Sequence, residues 1–177
     1  MNPDPQARAG RRRSSFDPNA MRASDAPAGD LAAFLVAQGF AAVPLRVNAV
    51  GHFELAAEVN GQPARLLLDT GASHTVLATP SAARLGLRTA PSAERAGGVG
   101  TSDHATETTR IDELRLGAVR LPGVMVWTFD LGHVNAALEA RGGAPVDGAL
   151  GADVLRPAEA VIDYARATLY LRPPAAP

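Results

Sequence analysis

The stretch LLLDTGASHTVL, from Leu66 to Leu77, places one aspartate at the end of a leucine run and follows it with Thr-Gly-Ala-Ser. Apolar residues that stop at Asp-Thr-Gly predict a buried strand leading into a tight turn. Such a turn would carry the Asp69 side chain out of a rigid sheet. That placement suits a catalytic carboxylate, and it also suits an ordinary Asx turn that satisfies local backbone groups.

The segments around this turn predict further short strands. Asn-Gly is a strong hairpin signal, so the strands Phe53–Val59 and Ala64–Leu68 should flank a turn at residues 60–63. The chain should then continue as a strand over Thr75–Leu77. Thr79 followed by proline predicts an N-cap and a helix over Ser81–Leu85.

The rest of the chain shows the same pattern of short strands separated by turns, and the sequence contains no internal repeat of fixed period. The patterns predict strands at Glu107–Leu116, Val119–Leu121 and Gly123–Phe129, a helix at His133–Ala140, a buried strand into Gly151, a helix at Ala152–Leu155 and a hairpin over Ala160–Arg172. The predicted fold class is therefore mainly β with short helices.

The chain ahead of these strands has a different composition. Residues 1–29 are rich in Pro, Arg, Ser, Asp and Ala, which predicts a disordered tail. Its RRRSS run, Arg11–Ser15, is interpreted as part of a solvated tail and not as a nucleic-acid patch. Residues 30–42 are predicted to form one helix, with Asp30 as N-cap and Gly39 as its stop, and a connection. Residues 43–177 then form the main domain.

Overall composition excludes several classes of function. With 17 Lys+Arg against 18 Asp+Glu, the net charge of -1 gives no field that favours nucleic acid or a membrane surface. The absence of cysteine excludes disulfides, thiolate catalysis and Cys-based metal sites. The four histidines show no pair at metal-ligand spacing. We therefore expect no metal and no cofactor.

The most apolar stretch, Asp30–Leu45, is interrupted by Gln38, Gly39 and Pro44, so it should not span a membrane. Its position behind a polar tail is poor for a secretory signal, which favours a cytoplasmic location. An export signal that begins at Met21 is the weaker alternative, because the residues ahead of its apolar part are acidic.

A glycine-rich run, RAGGVGT at Arg95–Thr101, is typical of the tip of a hairpin. It lacks the strand-then-helix context of a phosphate-binding loop, so the run does not favour a nucleotide site. Both a plain loop and a flap that covers a ligand fit this run.

Three segments in this order resemble retropepsin-like aspartic proteases. Asp69-Thr70-Gly71-Ala72-Ser73 after an apolar strand resembles the family's active-site turn. Gly97-Gly98-Val99-Gly100 stands where the family has its flap, and Ala149-Leu150-Gly151 matches its second signature ahead of a short helix. The likeness runs from Phe53 to Leu171. It implies a retropepsin-like, or acid protease, closed β-barrel lobe with Asp69 as the catalytic residue.

The chemistry of such a site needs two carboxylates. Two like charges a few ångströms apart in a partly dry site share one proton, so that one activates water while the other donates to the peptide carbonyl. Thr70 can lock the turn through its hydroxyl, Gly71 permits close backbone approach, and Ser73 can bond Asp69 or the local backbone. Only one Asp-Thr-Gly occurs in the chain. The resemblance therefore implies a homodimer in which the partner supplies the second Asp69.

The sequence leaves two segments open for an intersubunit sheet. Thr168–Arg172 and Val43–Val47 are candidates, and either is equally well an internal edge strand. The segment ahead of the match is open to two interpretations, a pro segment that occupies the cleft and an inert tail.

Several polar and aromatic side chains outside the motif are predicted to be structural. Asp147 and Asp163 should each cap a turn or pair with an arginine, and His74 should be a solvated turn residue. Trp127 and Phe129 alternate on one strand and are predicted to be core.

The predicted function is an aspartic endopeptidase that hydrolyses extended polypeptides with a water activated between two Asp69 carboxylates of a homodimer. Its expected partners are a second copy and a peptide or protein substrate, without nucleic acid or membrane. The alternative is a non-catalytic peptide-binding or assembly module of the same β fold.

Overall fold

The computed structural model describes residues 30–98 and 101–175. The predicted tail, residues 1–29, lies outside this range. The helices are α1 (Asp30–Ala37), α2 (Thr79–Arg84), α3 (Gly132–Glu139) and α4 (Ala152–Leu155). The strands are β1 (Ala41–Pro44), β2 (Arg46–Val47), β3 (Phe53–Val59), β4 (Gln62–Leu68), β5 (Val76–Ala78), β6 (Ala90–Gly98), β7 (Thr101–Arg110), β8 (Glu113–Leu116), β9 (Val119–Pro122), β10 (Met125–Phe129), β11 (Gly148–Leu150), β12 (Val161–Asp163) and β13 (Thr168–Leu171).

Most strands form one large sheet in the order β6-β7-β10-β5-β11-β4-β3-β8-β9, with β2 added on β3. The fold is therefore mainly β, as predicted. β11 lies between β4 and β5, parallel to the first and antiparallel to the second. Because β4 and β5 are consecutive in the chain, the turn that joins them has to pass over the end of β11. This turn contains the Asp-Thr-Gly segment.

A second sheet has the order β1-β13-β12. Strand β13 pairs with β1 on one side and with β12 on the other, both antiparallel. The two segments considered for an intersubunit sheet, Thr168–Arg172 and Val43–Val47, thus pair with strands of the same chain. Strand β1 pairs with β13, and β2 pairs with β3. Both segments therefore pair inside the chain, but β13 is the central strand of its sheet and not the edge strand of the internal alternative.

Both sheets contribute to one hydrophobic core. Leu66 and Leu150 of the large sheet and Leu169 and Leu171 of the small sheet are fully buried in the same cluster. Helix α1 covers the outer face of the small sheet, where Leu35 and Phe40 pack with Tyr170 in a satellite cluster. α1 therefore packs on the strands of the main domain.

Local signals placed most turns correctly. Asn60 and Gly61 have φ of 50° and 79°, the left-handed pair that a tight hairpin between β3 and β4 requires. The prediction of Thr79 as N-cap is wrong by one residue, because Ala78 holds that position without a side-chain hydrogen bond and Thr79 is already helical. The predicted strand Glu107–Leu116 is two strands, since the chain turns at 111–112, where Asn60 Oδ1 accepts the Asp112 N–H.

No helix within the described ranges is long and apolar enough to cross a membrane.

Candidate active site

Asp69 is the first residue after β4, and its side chain is exposed. The Gly71 N–H donates to Asp69 Oδ1 at 2.9 Å, which makes this an Asx turn. In the described part of the chain the other carboxylate oxygen accepts no hydrogen bond. Thr70 and Ser73 are exposed, and Ala72 is half-buried. The turn therefore presents one free carboxylate oxygen to the surface.

Backbone hydrogen bonds attach this turn to β11 and α4. The Asp69 N–H donates to the Leu150 carbonyl at 3.1 Å, and the Ala152 N–H donates to the Ala72 carbonyl at 2.8 Å. A third bond runs from the Asp153 N–H to the Ser73 carbonyl at 3.2 Å. The two signatures, Asp69–Ser73 and Ala149–Gly151, are thus brought together, although almost eighty residues separate them in sequence.

Thr75 fastens the same junction with a side chain that the sequence reasoning missed. It is buried, its hydroxyl donates to Asp153 Oδ1 at 2.8 Å, and it accepts the Gly151 N–H at 3.1 Å. Strand alternation was the available signal, because Thr75 and Leu77 lie two residues apart in the predicted strand Thr75–Leu77 and both are buried. The role of Asp153 had no local signal, since its partner comes from another element.

Gly151 is required by space at this junction. A Cβ on Gly151 would collide with the backbone of His74, and a Cβ on Gly148 would collide with the Val76 carbonyl oxygen. Backbone cannot yield as a flexible side chain can. The two glycines therefore allow β11 and the start of α4 to lie directly against β5 and the Asp69 turn.

His74 is half-buried and stacks on Trp127, with ring centroids 4.0 Å apart. The prediction of a solvated histidine is wrong for this reason. The core prediction for Trp127 and Phe129 is also wrong, because both are half-buried while Val126 and Thr128 face the core. Beside the stacked rings lies a largely apolar groove of about 470 Å³ between the β9–β10 turn and α4.

The hairpin of β6 and β7 lies next in the sheet to β10, which itself pairs with β5. Gly97 and Gly98 fall within β6, and Gly98 pairs with Thr101 of β7. Val99 and Gly100, the other two residues of the predicted flap, lie outside the described residues. The paired backbone extends closer to the tip than the predicted loop at Arg95–Thr101.

Asp147 has a structural environment. Its carboxylate accepts hydrogen bonds from the Arg65 N–H at 2.9 Å, the Ser81 hydroxyl at 2.7 Å and Arg84 Nη2 at 2.9 Å. Burial by itself raises the pKa of Asp147, but these three donors and the Arg84 charge outweigh it and hold the pKa below its ordinary value. Asp163 likewise pairs with Arg166 at 2.8 Å. Both therefore bind arginines, in line with the prediction.

Within residues 30–98 and 101–175, no three His, Asp or Glu side chains form a group that could hold an ion.

Comparison with known proteins places these observations in a family. A family model described as aspartyl protease matches residues 55–154. A retropepsin-like aspartic protease from Rickettsia conorii is 20% identical, with a TM-score of 0.48 over 75% of this chain and 89% of its own. The protease of EIAV, solved with an inhibitor, is 25% identical, with a TM-score of 0.48 over 62% and 90%. The retroviral protease-like domain of Ddi1 from Leishmania major is 18% identical, with a TM-score of 0.46 over 71% and 90%. No curated protein matches the chain.

The matched range contains the Asp69 turn, the β6–β7 hairpin and the Ala149–Gly151 segment, and it spans more than half of the 177 residues. The family predicted from the turn is confirmed, and the chain belongs to the aspartyl protease family.

Proposed function

We propose that this chain is an aspartic endopeptidase that acts as a homodimer and hydrolyses peptide bonds in extended polypeptides. The observation that carries the proposal is the exposure and the hydrogen bonding of the Asp69 carboxylate. Its carboxylate is exposed at the end of a strand, one oxygen is held by the Gly71 N–H, and the turn is attached to β11 and α4 by three backbone hydrogen bonds. A free oxygen on a rigid mount is what a general base needs.

The second carboxylate has to come from another molecule. The sequence contains one Asp-Thr-Gly, and the carboxylate of Asp147, which stands directly before Gly148, accepts hydrogen bonds from three donors. In the proposed dimer, Asp69 faces Asp69 of the partner subunit across a two-fold axis. Thr70 and Gly71 line the approach of the two turns, and Ala72 and Ser73 support them.

The proposed chemistry requires that the pair hold one proton. When two turns meet, the carboxylates lose solvent and repel each other, so the pair titrates as a unit with one member charged. The charged member takes a proton from water while the water oxygen attacks the peptide carbonyl carbon. The protonated member donates to the carbonyl oxygen, which gives a gem-diol intermediate. The member that took the water proton then gives it to the amide nitrogen as the C–N bond breaks, and a hydroxyl proton of the gem-diol returns to the other carboxylate. No covalent intermediate with the chain is formed.

Substrate binding in this proposal uses backbone pairing and apolar pockets. The hairpins at Gly97–Gly100 cover the peptide, while Ala149, Leu150 and Gly151 support the turn from below. A closed barrel for the lobe and a cytoplasmic location belong to the same proposal. Fractionation of cells that express the tagged chain tests the location.

The test is the detection of new peptide termini by mass spectrometry, using a mixed peptide library from acid to neutral pH. Asp69→Asn should lower cleavage on the order of 10³-fold, because the amide cannot act as a base. Asp130→Asn is a matched control, since Asp130 is also exposed and accepts the N–H two residues ahead, from Gly132 at 2.7 Å. The control should cleave like the wild type. Equal cleavage by Asp69→Asn would refute the proposal.

One observation favours a second candidate, a non-catalytic peptide-binding or assembly module. In the single chain the Asp69 turn is a complete Asx turn, and it needs no partner to satisfy its local backbone. Absence of cleavage by the wild type, together with a monomer at every concentration in sedimentation, would favour this module.

A further inference from the structure

We infer that the apolar groove between the β9–β10 turn and α4 binds a segment of the chain's own tail, Phe16-Asp17-Pro18. This segment precedes α1 and lies outside the described residues. Such binding differs from both sequence-based interpretations of the tail, because the segment neither fills a cleft between two Asp69 turns nor stays inert. It requires no peptidase activity and therefore goes beyond the proposed function.

The groove offers an apolar surface to one large side chain. Its volume is about 470 Å³, and its lining includes Pro122, Val124, Met125, Trp127 and Pro157. Met125 is 43% exposed and Trp127 is half-buried, so both still have surface to lose to a ligand. An apolar side chain that enters the groove removes its own surface and theirs from water, which is the dominant favourable contribution in most protein associations.

The groove adjoins the Asp69 turn. His74, which directly follows Ser73 of that turn, lines the groove and stacks on Trp127. Asp153 lines the groove as well, and its N–H donates to the Ser73 carbonyl at 3.2 Å. A segment bound in the groove therefore contacts the residues that hold the candidate active site in place.

The tail starts close enough to reach the groove. Arg172 lines the groove, donates to the Gln38 carbonyl at 2.9 Å and lies over the Phe40 ring, 4.4 Å from its centroid. The C-terminal end of α1 is thus fixed beside the groove, and a helix of 8 residues is only about 12 Å long. The 14 residues from Phe16 to Asp30 can extend over about 46 Å, so length does not prevent the contact.

An arginine at the rim of the groove favours an acidic residue next to the apolar one. Gly123 lines the groove, and a Cβ on Gly123 would collide with the Arg110 guanidinium, so Arg110 lies directly over this glycine. Arg110 also pairs in register with Met125. Its side chain is exposed, and within residues 30–98 and 101–175 no hydrogen bond or ion pair engages the guanidinium. A carboxylate of the ligand can therefore pair with Arg110 without displacing another partner.

The tail contains this combination of residues once. Phe16 is its only aromatic residue, and Asp17 follows directly. Pro18 holds Asp17 in extended backbone, where successive side chains point in opposite directions. Phe16 can then enter the groove while Asp17 stays at the rim with Arg110.

Overall charge favours the same contact. Residues 1–29 contain five Arg and three Asp, which leaves 12 basic and 15 acidic residues in the rest of the chain. The tail is therefore positive and the rest of the chain negative, so the two attract each other at long range.

Trp127 is the only tryptophan of the chain, so its fluorescence reports on the groove. The measurement uses the full chain with Asp69→Asn as the parent, so that peptidase activity cannot remove the tail. Phe16→Ala should raise acrylamide quenching of Trp127 by about twofold, because loss of the ring opens the groove to solvent. Met21→Ala, which shortens another apolar side chain of the tail, is the matched control and should quench like the parent. Equal quenching of Phe16→Ala and the parent would overturn the inference.

A synthetic peptide of residues 11–20 tests the same contact between separate molecules. Added to the Phe16→Ala chain, whose groove is open, it should lower the quenching of Trp127 to the level of the parent. The same peptide with Phe16→Ala should bind about tenfold more weakly or worse, because it lacks the ring that the groove buries. Equal binding of the two peptides would mean that the groove does not recognise this segment.

Charge reversal tests the contact between Asp17 and Arg110. Asp17→Arg and Arg110→Asp should each raise quenching, because each places like charges together at the rim, and their combination should recover the parent value. Asp25→Arg in the tail and Arg88→Asp on the surface make the same charge changes elsewhere and should have no effect. A combined variant that quenches like the single ones would contradict the assigned arrangement.

The two proposals fail in different ways. If the wild type cleaves peptides and Phe16→Ala leaves Trp127 quenching unchanged, the tail assignment is wrong and the protease proposal stands. If Asp69→Asn cleaves as well as the wild type, the protease proposal is wrong, and the quenching of Trp127 still decides the tail assignment.

Discussion

Asp69 and Asp147 lie at opposite ends of the same parallel strand pair, β4 and β11. Asp147 precedes β11 and exchanges backbone and side-chain hydrogen bonds with Arg65 of β4, while Asp69 follows β4 and donates its N–H to Leu150 of β11. The Asp147 carboxylate is half-buried and accepts three donors, whereas the Asp69 carboxylate is exposed and accepts one. The number of donors separates a carboxylate that is engaged in holding the fold from one that keeps an oxygen without a hydrogen bond.

Removal of the Asp147 carboxylate should have the largest effect on stability. Asp147→Ala leaves the buried Ser81 hydroxyl, the Arg65 N–H and Arg84 without their acceptor, so the free energy of unfolding should fall by about 2–3 kcal/mol at pH 7. Urea denaturation measures this, with Asp112→Ala as a matched control on an exposed aspartate. A loss like that of the control would mean that the contacts around Asp147 contribute nothing.

The same variant tests how the contribution of Asp147 to folding stability depends on pH. The pKa of Asp147 in the folded chain lies below its ordinary value of 3.8. Its contribution to stability is therefore complete above pH 3.8 and is lost as the pH falls through the folded-state pKa. The gap between the wild type and Asp147→Ala should narrow in acid. A gap that widens below pH 3.8 would show that the pKa is raised.

Thr75 joins the end of the strand pair that carries Asp69 to Gly151 and α4. Loss of its hydroxyl should have an intermediate effect on the free energy of unfolding. Thr75→Val keeps the shape but removes the hydroxyl between Asp153 and the Gly151 N–H, which should cost about 1.5 kcal/mol. Thr75→Ser, which keeps the hydroxyl, should recover most of the hydrogen-bond contribution. Equal losses for the two variants would place the effect in packing instead of hydrogen bonding.

Asp69 itself should matter least to stability. Asp69→Asn retains an oxygen that can accept the Gly71 N–H, and the side chain is exposed, so the free energy of unfolding should change by less than about 0.5 kcal/mol. Thermal and urea unfolding at low protein concentration, where the single chain dominates, measure this. A loss as large as that of Asp147→Ala would remove the contrast between the two carboxylates.

The sequence alone determined the features that depend on neighbouring residues. Asn60-Gly61 specified a turn because Gly tolerates positive φ freely and Asn more readily than most residues. The helix at Ala152–Leu155 followed from its position between a glycine and Pro157, and the structure has the same bounds. The Asp69 motif identified the family through its residue types and order, which the family match confirmed.

Only the tertiary structure decided how distant segments combine. The insertion of β11 between β4 and β5, the central place of β13, the Thr75–Asp153 bond and the His74–Trp127 stack all join residues that are far apart in the chain. The sequence of an apolar strand does not specify which strand pairs with it, because any neighbouring strand can satisfy the hydrogen bonds of its backbone. Packing of the whole core selects one partner, and that selection left Asp147 enclosed and Asp69 open.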